Sequence, residues 1–154
     1  MSGRIEARLA EMGVTLPEAP APAANYRPYI VDGTLVHVSG QLPFENGAPV
    51  TGRLGEGIDI ATGQHAARLC AMALLAQIRA AAGGDLDRLA RVLRITGYVN
   101  STPDFTAQPQ VINGASDLLA GALGEAGAHA RAAVGVAALP FGAAVEIDGL
   151  FRLS

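Results

Sequence analysis

The stretch from Asp59 to Ala82 constrains the fold most, because its pattern predicts one long amphipathic helix. Small and aliphatic side chains recur at helical spacing along one face, and polar side chains such as Gln77 lie off that face. Gly83 and Gly84 follow directly, and helices commonly end at glycine. The predicted apolar face consists of Ala67, Cys70, Ala71, Leu74, Leu75, Ile78 and Ala82.

The segments around this helix alternate between strand and helix patterns. A hairpin is predicted around Asp32-Gly33, because that dipeptide favours a tight turn between strands. The order of elements, β-β-α-β-α-β-β, predicts an α+β two-layer fold in which two helices cover one mixed sheet of about six strands. The predicted strands are Tyr29–Val31, Leu35–Gln41, Leu93–Asn100, Ala130–Ala138 and Ala143–Arg152, the second helix is Thr106–Leu123, and Phe44–Gly57 is predicted as a loop.

The N-terminal residues 1–24 are predicted to form an extension of a single domain that spans residues 1–154. Arg4 to Met12 has the spacing of a short amphipathic helix that ends at Gly13. Pro17 to Ala24 is rich in proline and alanine, which is typical of an extended linker. The sequence leaves open whether the short helix caps a neighbouring subunit or floats free.

The composition excludes several classes of function. The formal net charge is −3 and the chain has one cysteine, so neither nucleic-acid binding nor a disulfide framework is expected. No apolar stretch is long enough to span a membrane, and no targeting segment is visible, so we expect a cytoplasmic protein. Half of the residues are apolar, which indicates subunit contacts unless the alanine content alone explains it.

The residues that carry chemistry are sparse. His37, His65 and His129 lack the spacing of metal ligands, so no metal site is predicted, and no cofactor motif is present. In the last quarter, Arg131 opens an apolar strand, and its planar fork suits a carboxylate. Glu146 lies in another apolar strand, where desolvation favours acid–base work. The structural alternative is an ion pair between these two residues or with Asp148.

Three sequence blocks resemble the reactive intermediate deaminase (RidA/YjgF) family. The most specific is Ala130-Arg131 with Val134 to Pro140 and Val145-Glu146-Ile147, which is similar to the family's A-R-x-x-V-x-V-A-x-L-P…V-E-I ending. The others are Asn25 to Tyr29 with Val38 to Pro43, and Asp104-Phe105 with Asn113. Ala133 stands where the family has cysteine, and Ser116 where it often has an aromatic residue. With a longer N-terminus, these departures indicate a side branch.

The resemblance implies a chorismate-mutase-like fold, a homotrimer and pockets between subunits. It implies that the protein hydrolyses enamines or imines such as 2-aminoacrylate to 2-keto acids and ammonia without a cofactor. Arg131 would hold the substrate carboxylate, and Glu146 would handle protons and place the attacking water. The pocket would be lined by Tyr29, Ser39, the Gly40 backbone and Asn113.

Two other functions stay open at this point. The first is a protein that binds a small carboxylate on the same trimer without catalysis, since a fold does not guarantee an activity. The second, an endoribonuclease or translation inhibitor, is less favoured by the acidic balance and the 5% aromatic content. Structural roles also stay open for the lining residues: strand packing for Tyr29, a bend for Ser39-Gly40, and a solvent-facing position for Asn113.

Overall fold

The computed structural model describes residues 3–22 and 24–154 and contains one five-stranded mixed sheet. The strand order is β1-β2-β5-β3-β4, in which β3 and β4 are parallel and the other neighbours are antiparallel. The α+β prediction is therefore confirmed, but the number of strands is five rather than about six. The strands are β1 (Tyr29–Asp32), β2 (Leu35–Gln41), β3 (Leu89–Asn100), β4 (Ala130–Val136) and β5 (Val145–Leu153).

Three α-helices accompany the sheet: the two that were predicted to cover it and the short N-terminal helix that was predicted in the extension. They are α1 (Arg4–Glu11), α2 (Ile60–Ala81) and α3 (Gln108–Leu123). Helix α2 begins where expected, because the Asp59 carboxylate accepts a hydrogen bond from the Thr62 amide at 2.8 Å. Helices α2 and α3 pack closely, since a Cβ on Gly114 would overlap the carbonyl of Gln64.

Helix α1 packs on its own chain, which the sequence alone left open. Its apolar residues Ile5 and Leu9 are buried in the common core. The carboxylate of Asp87, from the short turn before β3, accepts hydrogen bonds from the amides of Arg4 at 2.7 Å and Ile5 at 2.8 Å. These bonds satisfy donors that a helix start leaves unpaired and fix α1 to the domain.

The two faces of the sheet differ sharply. One face packs against α2 and α3 and carries buried residues such as Val38, Ile95 and Ile147. The other face, called the bare face below, has no covering element among the described residues. Ile30 and Val134 lie on it and are 52% and 44% exposed. Because side chains alternate along a strand, each strand contributes to both faces.

The segment Phe44–Gly57 is not a plain loop, in contrast to the prediction. It contains an antiparallel pair, Phe44–Glu45 with Ala48–Pro49, and the first strand of a parallel pair, Arg53–Leu54 with Gly57–Ile58. These two-residue strands pair with each other rather than joining the main sheet. Such short pairings leave little periodic pattern in the sequence.

Gln77 lies in the interior, although its position off the apolar face of α2 predicted an outward side chain. It is 1% exposed, and its amide atoms have no partner within the described part of the chain. The reason is tertiary: this part of α2 borders a cleft that β1 and residues 19–22 also line. The helix is thus covered on a second side that its own pattern does not show.

Candidate functional site

Arg131 is held by three residues from one face of α3. Its Nη1 donates to Asn113 Oδ1 at 2.8 Å and to Ser116 Oγ at 3.1 Å, and its Nη2 donates to the Pro109 carbonyl at 3.4 Å. Residues spaced four and three apart face the same side of a helix, so α3 presents all three acceptors together. Arg131 reaches them because its position in β4 points toward the helix layer, as that of its parallel partner Ile95 does.

The guanidinium of Arg131 keeps donors for a ligand. Its three bonded acceptors are all uncharged, and no carboxylate lies within ion-pair distance among the described residues. These three bonds use both Nη1 hydrogens and one Nη2 hydrogen. Among the described residues, the Nε–H and the second Nη2–H of Arg131 therefore have no acceptor. A fixed guanidinium with free donors is suited to a carboxylate.

Glu146 lies in β5 against the irregular part of β2. The register between these strands shifts between Val38 and Gln41, which marks a β-bulge opposite Asp148. The bulge brings Gly40 so close that a Cβ there would overlap the Glu146 carboxylate. Glycine at position 40 therefore makes room for the carboxyl group.

The surroundings of Glu146 favour its protonated form. Partial burial raises the pKa of the Glu146 carboxyl above its ordinary value, and the charge of Asp148 raises it further. Asp148 accepts a hydrogen bond from the Tyr98 hydroxyl at 3.0 Å, so these groups form one polar cluster on the bare face. A carboxyl group with a raised pKa holds its proton to a higher pH than an ordinary glutamate, which favours a role as a proton donor, and its ionised form can accept a proton.

Arg131 and Glu146 do not meet within one chain. The register places Arg131 on the helix side, level with Ile95, and Glu146 on the bare side, opposite Tyr98. Two strand spacings, about 10 Å, also separate β4 from β5. The ion pair considered between Arg131 and Glu146 is therefore absent from the described structure, and Asp148 bonds Tyr98 instead.

The other predicted lining residues fall in separate places. Asn113 bonds Arg131, and Gly40 lies against Glu146. The Ser39 hydroxyl donates to the Arg27 carbonyl at 2.7 Å, which ties the preceding turn to the bulge. Tyr29 is half-buried, packs against the core and lines the cleft beside Gln77, on the face opposite Glu146.

The residues around the Arg131 guanidinium, called the Arg131 cradle below, are Pro109, Asn113, Ser116 and His129. Sequence reasoning identified only Asn113 among them. The Ser116 hydroxyl lies 2.9 Å from His129 Nε2, and His129 Nδ1 lies 2.6 Å from the Gly127 carbonyl. The spacing of Pro109, Asn113 and Ser116 could have shown that they share a helix face. It could not show that this face meets Arg131, because that depends on how α3 packs on β4.

Residues 3–22 and 24–154 contain neither a cluster of candidate metal ligands nor a helix that could span a membrane. No cluster of three or more His, Cys, Asp or Glu side chains has the geometry to hold a metal ion in this part of the chain. No helix described there combines the length and apolar character needed to cross a bilayer.

Comparison with known proteins identifies relatives along nearly the whole chain. Residues 6–150 match the family model described as "YjgF/chorismate_mutase-like, putative endoribonuclease". Protein TCP17 of Trypanosoma cruzi is 52% identical over 99% of this chain and 96% of its own length. The structure of Atu1372 from Agrobacterium tumefaciens, a protein of unknown function, is 53% identical with a TM-score of 0.91, over 98% of this chain and 94% of that one.

A more distant structure is RidA from the Antarctic bacterium Psychrobacter sp. PAMC 21119. It is 30% identical, with a TM-score of 0.59, over 88% of this chain and 94% of that chain. The higher TM-score for Atu1372 indicates a branch that differs in structure from RidA. With its α+β chorismate-mutase-like fold, the chain belongs to the YjgF/chorismate mutase-like family, which includes RidA.

Proposed function

We propose that this protein is an enamine/imine deaminase that hydrolyses 2-aminoacrylate-type intermediates to 2-keto acids and ammonia. The observation that carries the proposal is the Arg131 guanidinium, which α3 holds through three hydrogen bonds to uncharged acceptors while other donors stay free for a carboxylate. The similarity to RidA supports the same reaction class. Glu146 supplies a carboxyl group with a raised pKa.

The working form in this proposal is a homotrimer with its pockets between subunits. One substrate molecule of a few heavy atoms cannot contact both Arg131 and Glu146 of the same chain, because they lie on opposite faces of the sheet. A pocket between two copies joins Arg131 and Asn113 of one subunit to Gly40 and Glu146 of the next. The bare face of the sheet supports subunit contact through its exposed Ile30 and Val134.

The chemistry follows from these positions. Arg131 binds the substrate carboxylate and orients the reacting carbon. Glu146 donates a proton to the enamine β-carbon, which gives the iminium ion, and its carboxylate then takes a proton from the water that attacks the iminium carbon. In the resulting carbinolamine the hydroxyl proton is transferred to the amino nitrogen, the C–N bond breaks as the C=O bond forms, and the products are the 2-keto acid and ammonia.

The direct test measures ammonia and 2-keto acid release from enamines generated by an amino-acid lyase. Arg131→Ala should lower kcat/KM by roughly 100-fold or more, because it removes charge-assisted bonds to the carboxylate. Arg4→Ala is the matched control, since it removes one exposed arginine side chain elsewhere and should act like wild type. If the wild-type protein accelerates hydrolysis of none of these enamines, the deaminase proposal fails.

The location of the pocket is tested by mixing two inactive variants. Arg131→Ala and Glu146→Gln subunits, unfolded and refolded together, should recover activity in mixed trimers. With random mixing, about a quarter of the pockets would join an intact Arg131 to an intact Glu146. If the mixture stays inactive although mixed trimers form, both residues act within one chain and the shared pocket is wrong.

The second candidate function is carboxylate binding without turnover. The Arg131 cradle favours it as well, because the cradle needs no contribution from Glu146. Binding of a 2-keto acid that Arg131→Ala abolishes, in a protein without hydrolytic activity, would establish this alternative. Salt-dependent binding of RNA by a nuclease-free preparation would instead point to the endoribonuclease named in the family description.

A further inference from the structure

Ser116 and His129 form a hydrogen-bonded chain behind Arg131. The Gly127 carbonyl can only accept, so the 2.6 Å contact to His129 Nδ1 requires that this nitrogen carries the proton. In the neutral imidazole, Nε2 is then an acceptor, and the Ser116 hydroxyl at 2.9 Å donates to it. Ser116 Oγ in turn accepts from Arg131 Nη1 at 3.1 Å.

With His129 neutral, only one direction is consistent for the three hydrogen bonds of this series. Arg131 donates to Ser116, Ser116 donates to His129, and His129 donates to the backbone of Gly127. The chain ends at a buried glycine in the turn between α3 and β4, so it is anchored in the backbone. Ser116, His129 and Arg131 are all half-buried, which makes these bonds stronger than they would be in water.

We propose that Ser116 and His129 are positioning residues that orient the Arg131 guanidinium for a ligand carboxylate. Because Asn113 and Ser116 occupy both Nη1 hydrogens, the carboxylate is directed to Nε–H and the free Nη2–H. His129 acts only through Ser116, because it fixes the hydroxyl hydrogen away from Arg131 and leaves a lone pair facing Nη1. This inference rests on the carboxylate-binding role of Arg131 in the proposed function, but not on turnover.

The test measures binding of pyruvate, a simple 2-keto acid, by calorimetry, with the uncharged pyruvamide as the reference ligand. Ser116→Ala should weaken pyruvate binding about three- to tenfold, the effect of losing one hydrogen bond behind the guanidinium. His129→Phe should weaken it about two- to fivefold, since the Ser116 hydroxyl then loses its fixed direction. Ser116→Thr keeps a hydroxyl and should bind nearly as well as wild type.

The double variant separates positioning from a general structural effect. Ser116→Ala combined with His129→Phe should bind pyruvate no more weakly than Ser116→Ala alone, because His129 has no route to Arg131 without the hydroxyl. Independent structural damage would instead make the two effects multiply. Gln110→Ala is the matched control, a polar residue exposed on α3, and should leave pyruvate binding unchanged.

The outcomes distinguish this inference from the proposed function. If Arg131→Ala binds pyruvate as well as wild type, or if the wild-type protein does not bind it, the carboxylate role of Arg131 and this inference both fail. If Arg131→Ala abolishes binding while the Ser116 and His129 variants retain it fully, only this inference fails. A Ser116→Ala variant that loses kcat and keeps its affinity for pyruvate would also overturn positioning, because proton transfer would then explain Ser116.

Discussion

At the scale of single residues, the position and the pKa of the Glu146 carboxyl group depend on its neighbours. It occupies space that is free because residue 40 has no side chain, and the bulge in β2 brings that glycine against it. The same crowding limits access of water to the carboxyl group and, with the charge of Asp148, raises its pKa. The bulge therefore sets the position of Glu146, and burial together with the charge of Asp148 sets its raised pKa.

Replacing Gly40 by alanine should separate stability from activity. The added methyl group displaces the flexible end of Glu146 rather than backbone, so stability should change by no more than about 1 kcal/mol. Misplacing the carboxyl group should lower kcat/KM roughly 10- to 100-fold. Thermal unfolding and enamine hydrolysis measured on Gly40→Ala check both effects. Activity equal to that of wild type would mean that the Glu146 position does not matter for the reaction.

Glu146→Gln should stabilise the protein at neutral pH while it abolishes activity. A carboxyl group whose pKa is higher in the folded state opposes folding once it ionises, and this cost grows as the pH rises through the folded-state pKa. The variant should therefore unfold at a higher temperature than wild type at pH 7, and the difference should vanish below about pH 4. Glu11→Gln, which changes an exposed carboxylate, is the control. A gain independent of pH would contradict this explanation.

At the scale of secondary-structure elements, the Asp87 carboxylate attaches α1 to the rest of the domain. Asp87 accepts hydrogen bonds from two backbone amides at the start of α1. These bonds lower the pKa of the Asp87 carboxyl, and the bond from the Ile5 amide lowers it most. Ile5 and Leu9 then extend the shared core. An amphipathic helix of eight residues is too short to persist alone, so its order depends on this attachment.

Asp87→Ala should loosen α1 by about 1 kcal/mol, the usual effect of losing a helix cap. Amides in residues 4–11 should exchange hydrogen faster, while those of α2 should keep their protection. In wild type, the same loosening should appear as the pH falls through the lowered pKa of Asp87, because the stabilising form is the ionised one. Asp87→Asn keeps one acceptor oxygen and should be intermediate. Unchanged exchange in Asp87→Ala would assign α1 docking to Ile5 and Leu9 alone.

At the scale of the whole molecule, the bare face of the sheet is the surface on which subunit contact is proposed. It carries exposed apolar residues beside the polar cluster of Glu146, Asp148 and Tyr98, and it lacks a cover within the described part of the chain. A face of this kind is suited to other copies of the chain, in agreement with the apolar half of the composition. The proposed pockets exist only if the copies meet there.

Val134→Asp should prevent the proposed trimer from forming, because a charge on this face would be buried without a partner in that assembly. Light scattering coupled to size-exclusion chromatography should give a trimer for wild type and a monomer for the variant. Ala61→Asp adds the same charge at an exposed site in the first turn of α2, where it suits the helix dipole, and should remain trimeric. A trimeric Val134→Asp protein would place the subunit contacts on another surface.

Much of the fold is determined by patterns that a sequence shows directly. The periodicity of α2 and α3, the Asp32-Gly33 turn and the strand alternation set the order of elements, because each depends on neighbours within a few residues. The motif around Arg131 and Glu146 likewise identified the two residues that carry the proposed chemistry. Local spacing could not predict the small pairings within Phe44–Gly57, the burial of Gln77 or the attachment of α1 to Asp87.

Only the tertiary structure decided how the candidate residues are divided. It placed Arg131 on the helix side and Glu146 on the bare side of the sheet. The face on which a strand residue lies depends on the register of that strand with neighbours far away in sequence. The tertiary structure also joined Ser116 and His129 to Arg131 through the packing of α3 on β4. The sequence determined which side chains are present; the register and packing of distant segments determined which of them act together.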